Sequence, residues 1–208
     1  MIDRVAIGRR FARLATDAAV RSPTLWRVFR PFVRRQFDSL APVWDTMRLE
    51  DTFAPYDAAL DQVRGTPARI LDVGTGTGAG AIRLAGRFPG AAVVGVDLSD
   101  AMLEHARRNT PADARVTYER ADASALPFPD GSFDLVSHAN MIPFFDEVAR
   151  VVARGGQALF AFSSGAETPI YVPPERLRQE LESRGFTDFA EVRAGRGNAL
   201  LARKGHQA

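Results

Sequence analysis

From about residue 66 the sequence alternates short apolar runs with amphipathic helical patterns, and this alternation constrains the fold more than any other feature. Runs rich in Val, Ile and Leu that alternate with helices are typical of βαβ units in a parallel sheet. The predicted strands are 69–73, 91–96, 116–119, 133–137, 157–162, 189–194 and 198–203. The predicted helices are 78–88, 100–109, 144–153 and 174–184.

These elements predict an α/β fold: a doubly wound, seven-stranded, mostly parallel sheet with a C-terminal antiparallel strand, plus N-terminal helices. A chain of 208 residues is long enough for one sizeable core and too short for two ordinary domains. We expect residues 1–65 to form a helical segment that covers a cofactor or substrate site. Residues 66–208 then form the α/β domain.

The N-terminal segment is strongly basic. Residues 1–36 carry nine arginines against Asp3 and Asp17, a net charge of +7, so the rest of the chain is about −5 within a total of +2. Helical spacing predicts one helix over 3–20 and a second from the Ser22-Pro23 start to Phe37. The arginines fit either solvated helix faces or an anionic partner, such as a membrane surface contacted through Trp26, Phe29 and Phe32.

Composition excludes several functions. The chain contains no cysteine, which removes disulfides, thiolate metal sites and a cysteine nucleophile, and we expect no bound metal. No run of eighteen apolar residues occurs, and the start lacks the apolar stretch of a secretory signal. The expected location is therefore the cytoplasm.

The first candidate site is a glycine-rich turn that follows a buried strand. The segment Ile70-Leu71-Asp72-Val73-Gly74-Thr75-Gly76-Thr77-Gly78 lets the backbone turn sharply and lets a ligand lie against it. About twenty residues later, Asp97 ends the next strand, where a carboxylate can accept both ribose hydroxyls of an adenosine. Both features fit a dinucleotide as well as other nucleoside cofactors, so two cofactor types remain open here.

The segment from Arg120-Ala121-Asp122-Ala123 to Leu126-Pro127-Phe128-Pro129 decides between them. With the glycine turn, Asp97 and the run from Glu147 to Leu159, it resembles the class I, Rossmann-like S-adenosylmethionine-dependent methyltransferases. The four motifs cover about residues 69–162. Phe37 to Asp45 is similar to the segment before the sheet in the ubiquinone and menaquinone biosynthesis methyltransferases, where a tyrosine usually stands at the Trp44 position.

The resemblance implies a cofactor, S-adenosylmethionine, with S-adenosylhomocysteine as the product. It implies that Asp72 holds the amino end of the methionine, that Asp97 holds the ribose and that Asp122 bonds the adenine amino group. The implied cofactor-binding set is Trp44, Asp72, Gly74, Thr75, Gly76, Gly78, Asp97, Leu98, Met102, Asp122 and Ala123.

The expected reaction is an in-line methyl transfer to a small-molecule acceptor such as a phenol or a quinone. His138, just past the fourth strand, is the candidate general base, whereas His105 and His206 are expected to be bystanders. The loops that usually hold the acceptor are short, so a lid could come from the N-terminal helices or from a second subunit in a homodimer. Three alternatives stay open: an RNA-directed methyltransferase, a cofactor-binding protein without catalysis, and an NAD-dependent oxidoreductase.

Overall fold

The computed structural model describes residues 23–206. The predicted helix over residues 3–20 lies outside this range. Helix α1 spans Pro23–Leu40 and covers the second predicted helix, whose expected cap Ser22 lies outside the described residues. Two short 3-10 helices follow at Ala41–Val43 and Asp45–Met47. Helix α2 (Ala54–Leu60) was not predicted, because its single hydrophobic face spans only seven residues.

The described α/β part contains seven strands, four more α-helices and a 3-10 helix at Gly165–Glu167. The strands are β1 (Arg69–Val73), β2 (Ala92–Asp97), β3 (Val116–Arg120), β4 (Phe133–Ala139), β5 (Val152–Phe162), β6 (Phe186–Ala194) and β7 (Gly197–Lys204). The helices are α3 (Ala79–Arg87), α4 (Asp100–Asn109), α5 (Phe145–Val151) and α6 (Pro174–Glu182). Every strand predicted from the sequence is present.

The strands form one sheet in the order β3-β2-β1-β4-β5-β7-β6. Pairing from β3 through β5 is parallel, and β7 runs antiparallel between β5 and β6. The predicted mostly parallel sheet with a C-terminal antiparallel strand is therefore confirmed. The division at residue 65 stays a prediction.

Buried apolar side chains form one core on each face of the sheet. One core combines side chains of α2 and α3, such as Tyr56 and Leu84, with Ile70 and Leu135 of the sheet. The other combines Trp26 of α1 with the side chains of α5 and α6. With both faces covered, the interiors of the central strands are buried, and a ligand can approach these strands at their carboxyl ends.

The main boundary error lies at the start of β5. We predicted a helix to Ala153 and then a glycine turn, but α5 ends at Val151 and β5 begins at Val152. Phe133 pairs with Val152 and Leu135 pairs with Gln157, so β5 contains extra residues at this point. Gly155, with φ +73, lies within this irregularity, which explains why the glycines resembled a turn.

Candidate functional site

The glycine loop lies where β1 and β2 end side by side. The backbone N–H groups of Gly74 and Thr75 both donate to the Val96 carbonyl, at 2.8 and 2.9 Å. Gly74 has φ +69, and a Cβ there would lie 2.6 Å from Sδ of Met141. The loop is thus fixed against the end of β2 and closely covered by the chain after β4.

Asp97 connects the glycine loop to the next helix. One carboxylate oxygen accepts the Gly76 N–H at 2.9 Å, and the other accepts the Ser99 N–H at 2.9 Å. Ser99 in turn caps α4 by accepting the Met102 N–H. Burial raises the pKa of Asp97. A carboxylate has about four acceptor positions, so each oxygen can accept a further hydrogen bond from a ligand.

Asp72 is buried below the same loop. It accepts hydrogen bonds from the hydroxyls of Thr75 at 2.7 Å and Ser137 at 2.6 Å, and the Tyr56 hydroxyl lies 3.0 Å from that of Ser137. Burial raises the pKa of Asp72 to about 6, although these hydrogen bonds oppose the shift. The side chain is therefore a buried acid that ionises close to neutral pH.

These elements surround a cavity of about 350 Å³. Nine of the eleven predicted cofactor-binding residues line it: Trp44, Asp72, Gly74, Thr75, Gly76, Asp97, Leu98, Met102 and Ala123. Gly78 and Asp122 do not. Gly78 instead begins α3 in the left-handed conformation, and Asp122 is engaged by α1. The cavity lies at the carboxyl ends of β1 and β2, next to the glycine loop.

The Asp122 carboxylate accepts four hydrogen bonds. Its Oδ1 accepts the Trp26 indole N–H at 2.8 Å and both the N–H and the hydroxyl of Ser124, at 2.9 and 2.8 Å. Its Oδ2 accepts from the Arg30 guanidinium at 2.8 Å. Although burial acts in the opposite direction, these donors hold the pKa of Asp122 below its usual value. Helix α1 is thereby tied to the loop after β3.

The segment between α1 and α2 closes the cavity on another side. The Trp44 ring packs edge-on against Phe37, with centroids 5.5 Å apart. Its indole nitrogen lies 3.5 Å from where a Cβ on Gly76 would be. Arg48 pairs with Asp45 at 2.8 Å and donates to the Thr77 hydroxyl. This segment thus places an aromatic ring and a half-buried cation against the glycine loop.

His138 lies in the core rather than on the cavity. Its side chain is 2% exposed, and the ring stacks on Phe160 with centroids 4.8 Å apart. Burial lowers the pKa of His138 to about 3, so the ring is neutral at physiological pH. Neither its position nor its burial suits a group that must exchange protons with an acceptor in the cavity.

Sequence reasoning missed several residues that line the cavity, notably Trp26, Arg48, Phe53, Asn140 and Met141. Arg48, Asp72 and Asp97 are the charged residues among the described ones that line it. Arg48 follows the 3-10 helix Asp45–Met47 in an extended conformation, so no helical spacing in the sequence identified it. No motif or spacing in the neighbouring sequence identified Met141 as a cavity-lining residue.

A family model described as a methyltransferase domain matches residues 70–156, from β1 into β5. Among curated proteins, the chain is 40% identical over 137 residues to a demethylmenaquinone methyltransferase of Thermus thermophilus, covering 58% of this chain and 61% of that protein. It is 46% identical over 104 residues to a malonyl-[acyl-carrier protein] O-methyltransferase of Geobacter sulfurreducens, covering 47% of this chain and 38% of that protein. The chain thus spans less than two thirds of either relative.

Solved structures share the fold. An S-adenosylmethionine-dependent methyltransferase from Aquifex aeolicus superposes with a TM-score of 0.67 at 18% identity, covering 80% of this chain and 97% of that one. Phosphoethanolamine N-methyltransferase 2 of Haemonchus contortus, solved with S-adenosylmethionine, superposes with a TM-score of 0.67 at 22% identity. The match covers 85% of this chain and 60% of that one. At these identities the likeness concerns the fold.

Proposed function

We propose that this chain, in which residues 70–156 belong to the methyltransferase domain family, is an S-adenosylmethionine-dependent methyltransferase that acts on a small molecule. One observation carries the proposal. The glycine loop, Asp72 and Asp97 converge on a single cavity at the carboxyl ends of β1 and β2. Such a site offers acceptors for an ammonium and for ribose hydroxyls next to a backbone that a ligand can approach closely.

Lining residues of suitable chemistry are present for each part of the cofactor. Asp97 would accept the ribose hydroxyls with the acceptor positions that Gly76 and Ser99 leave, and Asp72 would face the ammonium. Gly74, Thr75 and Gly76 would follow the methionine part, while Leu98, Met102 and Ala123 would enclose the adenine with apolar surface. When bound, the cofactor supplies an electrophilic methyl group.

The protein would contribute to the reaction by orienting the acceptor toward the cofactor's methyl group and by excluding water. Trp44, Phe53 and Met141 form apolar walls around the part of the cavity next to the glycine loop. No histidine is among the described residues that line it, so we propose no histidine base. An acceptor with a nucleophilic oxygen or carbon of its own, such as a phenol or a quinol, fits these walls. The demethylmenaquinone and malonyl-[acyl-carrier protein] methyltransferases among the relatives support an acceptor that is methylated on carbon or oxygen.

Isothermal titration calorimetry with S-adenosylmethionine, S-adenosylhomocysteine and NADH tests the cofactor assignment. We expect the two sulfur compounds to bind and NADH not to bind. Binding of NADH alone would overturn the proposal in favour of an oxidoreductase. Transfer of a labelled methyl group to phenols, quinols and RNA then separates a small-molecule enzyme from an RNA-directed one. Cofactor binding without transfer to any acceptor class would favour a protein without catalysis.

Affinity for S-adenosylhomocysteine should depend on pH through Asp72. The pKa of this carboxyl is raised to about 6, so below pH 6 the group is mostly neutral and loses its attraction for the ligand's ammonium. Binding requires the ionised form, so affinity is full above that pKa and falls as pH decreases. We expect about a tenfold loss between pH 7 and pH 5.

The Asp72→Asn variant is the control for this dependence, because an amide cannot ionise. It should bind weakly at both pH values, with a much flatter profile. Burial also raises the pKa of Asp97, so a slope that persists in Asp72→Asn would assign the titration to Asp97 instead.

Arg48 is proposed to hold the carboxylate of the cofactor's methionine part. It is the cation among the charged residues that line the cavity, and its contacts with Thr77 and Asp45 both use Nη2. A guanidinium has five N–H donors and binds carboxylates through two of them at once. We therefore expect Arg48→Gln to weaken S-adenosylhomocysteine binding by about tenfold to thirtyfold.

5′-Methylthioadenosine provides the comparison ligand, because it lacks the amino acid part. Its affinity should be unchanged in Arg48→Gln. Arg87→Gln, which removes a charge paired with the exposed Asp61, is the matched control and should affect neither ligand. Equal losses for both ligands in Arg48→Gln would mean that Arg48 supports the loop instead of binding a carboxylate.

We also propose that the outer face of α1 contacts anionic membranes. Val28 and Phe32 are 63% and 62% exposed, and the neighbouring Arg27 and Arg35 are exposed as well. Trp26 is buried and is not available for such contact. No helix within residues 23–206 has the length and apolar character to cross a bilayer, so this contact would be peripheral.

Co-sedimentation with phosphatidylglycerol vesicles at low salt tests the membrane contact. Binding should be lost in Phe32→Ser and on phosphatidylcholine alone. Absence of binding at low salt would contradict the proposal. We further propose that the protein forms a homodimer, which light scattering on the vesicle-free protein tests.

A further inference from the structure

The adenine end of the proposed cofactor site already contains an aromatic ring of the chain itself. Trp26 is 2% exposed and lines the cavity near Ala123, with its ring edge-on to Phe144 at 5.2 Å. Its N–H donates to Oδ1 of Asp122 at 2.8 Å. A planar ring that carries an N–H donor toward this carboxylate presents the same chemistry as the amino edge of adenine.

The Asp122 carboxylate has little capacity left for a ligand. Oδ1 accepts three donors, two from Ser124 and one from Trp26, which exceeds the two lone pairs of a carboxylate oxygen. Oδ2 accepts from Arg30. Asp97 differs, because its donors are backbone N–H groups alone: one oxygen accepts from Gly76 and the other from Ser99. An adenine amino group that binds Asp122 would therefore have to displace a donor that is already there. Ribose hydroxyls that bind Asp97 would not have to displace one.

We propose that Trp26 is an internal occupant of the adenine subsite, so that cofactor binding requires α1 to withdraw the indole from Asp122. The inference rests on the proposed function, because it concerns the same cofactor. In this proposal the Trp26 indole competes with adenine for one subsite, and this competition lowers the affinity for the cofactor. Helix α1 then acts as a gate whose closed state is the one described.

The remaining contacts of α1 near the site suit a reversible closure. Arg34 pairs with Asp100 at 3.1 Å, and both side chains are exposed, at 39% and 52%. The Ser99 hydroxyl donates to Asp38 at 2.6 Å. Exposed ion pairs contribute little stability, so the buried Trp26 side chain and its hydrogen bond to Asp122 are a main contact that holds this end closed, beside the Arg30 and Asp38 contacts.

Trp26→Phe tests the competition directly, because phenylalanine fills the apolar space but cannot donate to Asp122. Loss of one hydrogen bond to a charged group favours the open state, and we expect S-adenosylhomocysteine to bind about tenfold more tightly. Weaker binding in Trp26→Phe would overturn the inference, because the indole would then be part of the site that holds the bound cofactor. Equal affinity would overturn it as well.

Fluorescence reports the movement itself. The chain contains two tryptophans, so Trp44→Phe leaves Trp26 as the sole emitter. Saturation with S-adenosylhomocysteine, checked by calorimetry on that variant, should shift its emission to longer wavelength as the buried indole becomes exposed. Unchanged emission at saturation would overturn the inference while leaving the proposed function intact. If neither the wild type nor Trp26→Phe binds the ligand, the proposed function fails and the inference falls with it.

Discussion

Asp97→Ala is expected to weaken S-adenosylhomocysteine binding by about a hundredfold, because two charge-assisted hydrogen bonds to the ribose are lost at about 1.5 kcal/mol each. The same carboxylate also accepts the N–H groups of Gly76 and Ser99. Removing it leaves the glycine loop without its tie to α4. Calorimetric titration of the wild type and the variant at pH 7.5 measures the loss.

Two further variants serve as controls for Asp97→Ala. Asp97→Asn keeps the shape and one oxygen acceptor, so its loss should be intermediate, about tenfold. Asp113→Ala removes the same charge from an exposed turn that does not line the cavity, and it should bind as the wild type does. An affinity for Asp97→Ala within threefold of the wild type would show that the ribose does not lie at Asp97.

The parallel sheet was predictable because each of its central strands is a short, nearly continuous apolar run between helical patterns. Boundaries were harder where pairing is irregular. At the start of β5, Val152 pairs with Phe133 and Gln157 pairs with Leu135. Glycines inside such an irregularity have the same local signature as glycines in a turn, so the sequence could not separate the two.

The carboxylates at strand ends could be located from the sequence for a topological reason. Parallel strands present their carboxyl ends at one edge, so Asp72 near the end of β1 and Asp97 at the end of β2 must lie close together once the sheet is predicted. The side chains that cover this edge depend on how the N-terminal segment returns over it. Trp26 lies 96 residues from Asp122 in the sequence, and no local pattern encodes that contact.

His138 illustrates the limit of a position inferred from strand order alone. From Leu135 to His138 every residue of β4 is buried, so no alternation distinguishes the face toward the core from the face toward a ligand. The sequence predicted a strand that ends at residue 137 with His138 just past it on the ligand side, whereas β4 continues to Ala139 and includes His138. Packing against Phe160 decided the direction of the ring in favour of the core.

The charge of the N-terminal segment also has a partly structural explanation. Arg30 and Arg34 lie on the side of α1 that faces the α/β domain, where they pair with Asp122 and with Asp38 and Asp100. The basic helix is thus complementary to acidic groups at the rim of the site. Only the exposed Arg27 and Arg35 remain on the outer face of α1 for the proposed anionic surface.

Gly78→Ala is expected to destabilise the protein by about 2–4 kcal/mol in urea denaturation. Gly78 has φ +88, and a Cβ there would lie 2.6 Å from the Tyr118 hydroxyl and 3.2 Å from the Ala106 Cα. The tyrosine cannot yield freely, because its hydroxyl is hydrogen-bonded to Thr110 at 2.7 Å. Gly86→Ala, inside the helix that Gly78 precedes and with nothing within 4 Å of the added Cβ, is the matched control and should stabilise by about 0.5–1 kcal/mol. Similar free energies of unfolding for the two variants would mean that the start of α3 can relax around a side chain, and that the loop does not need glycine at this position.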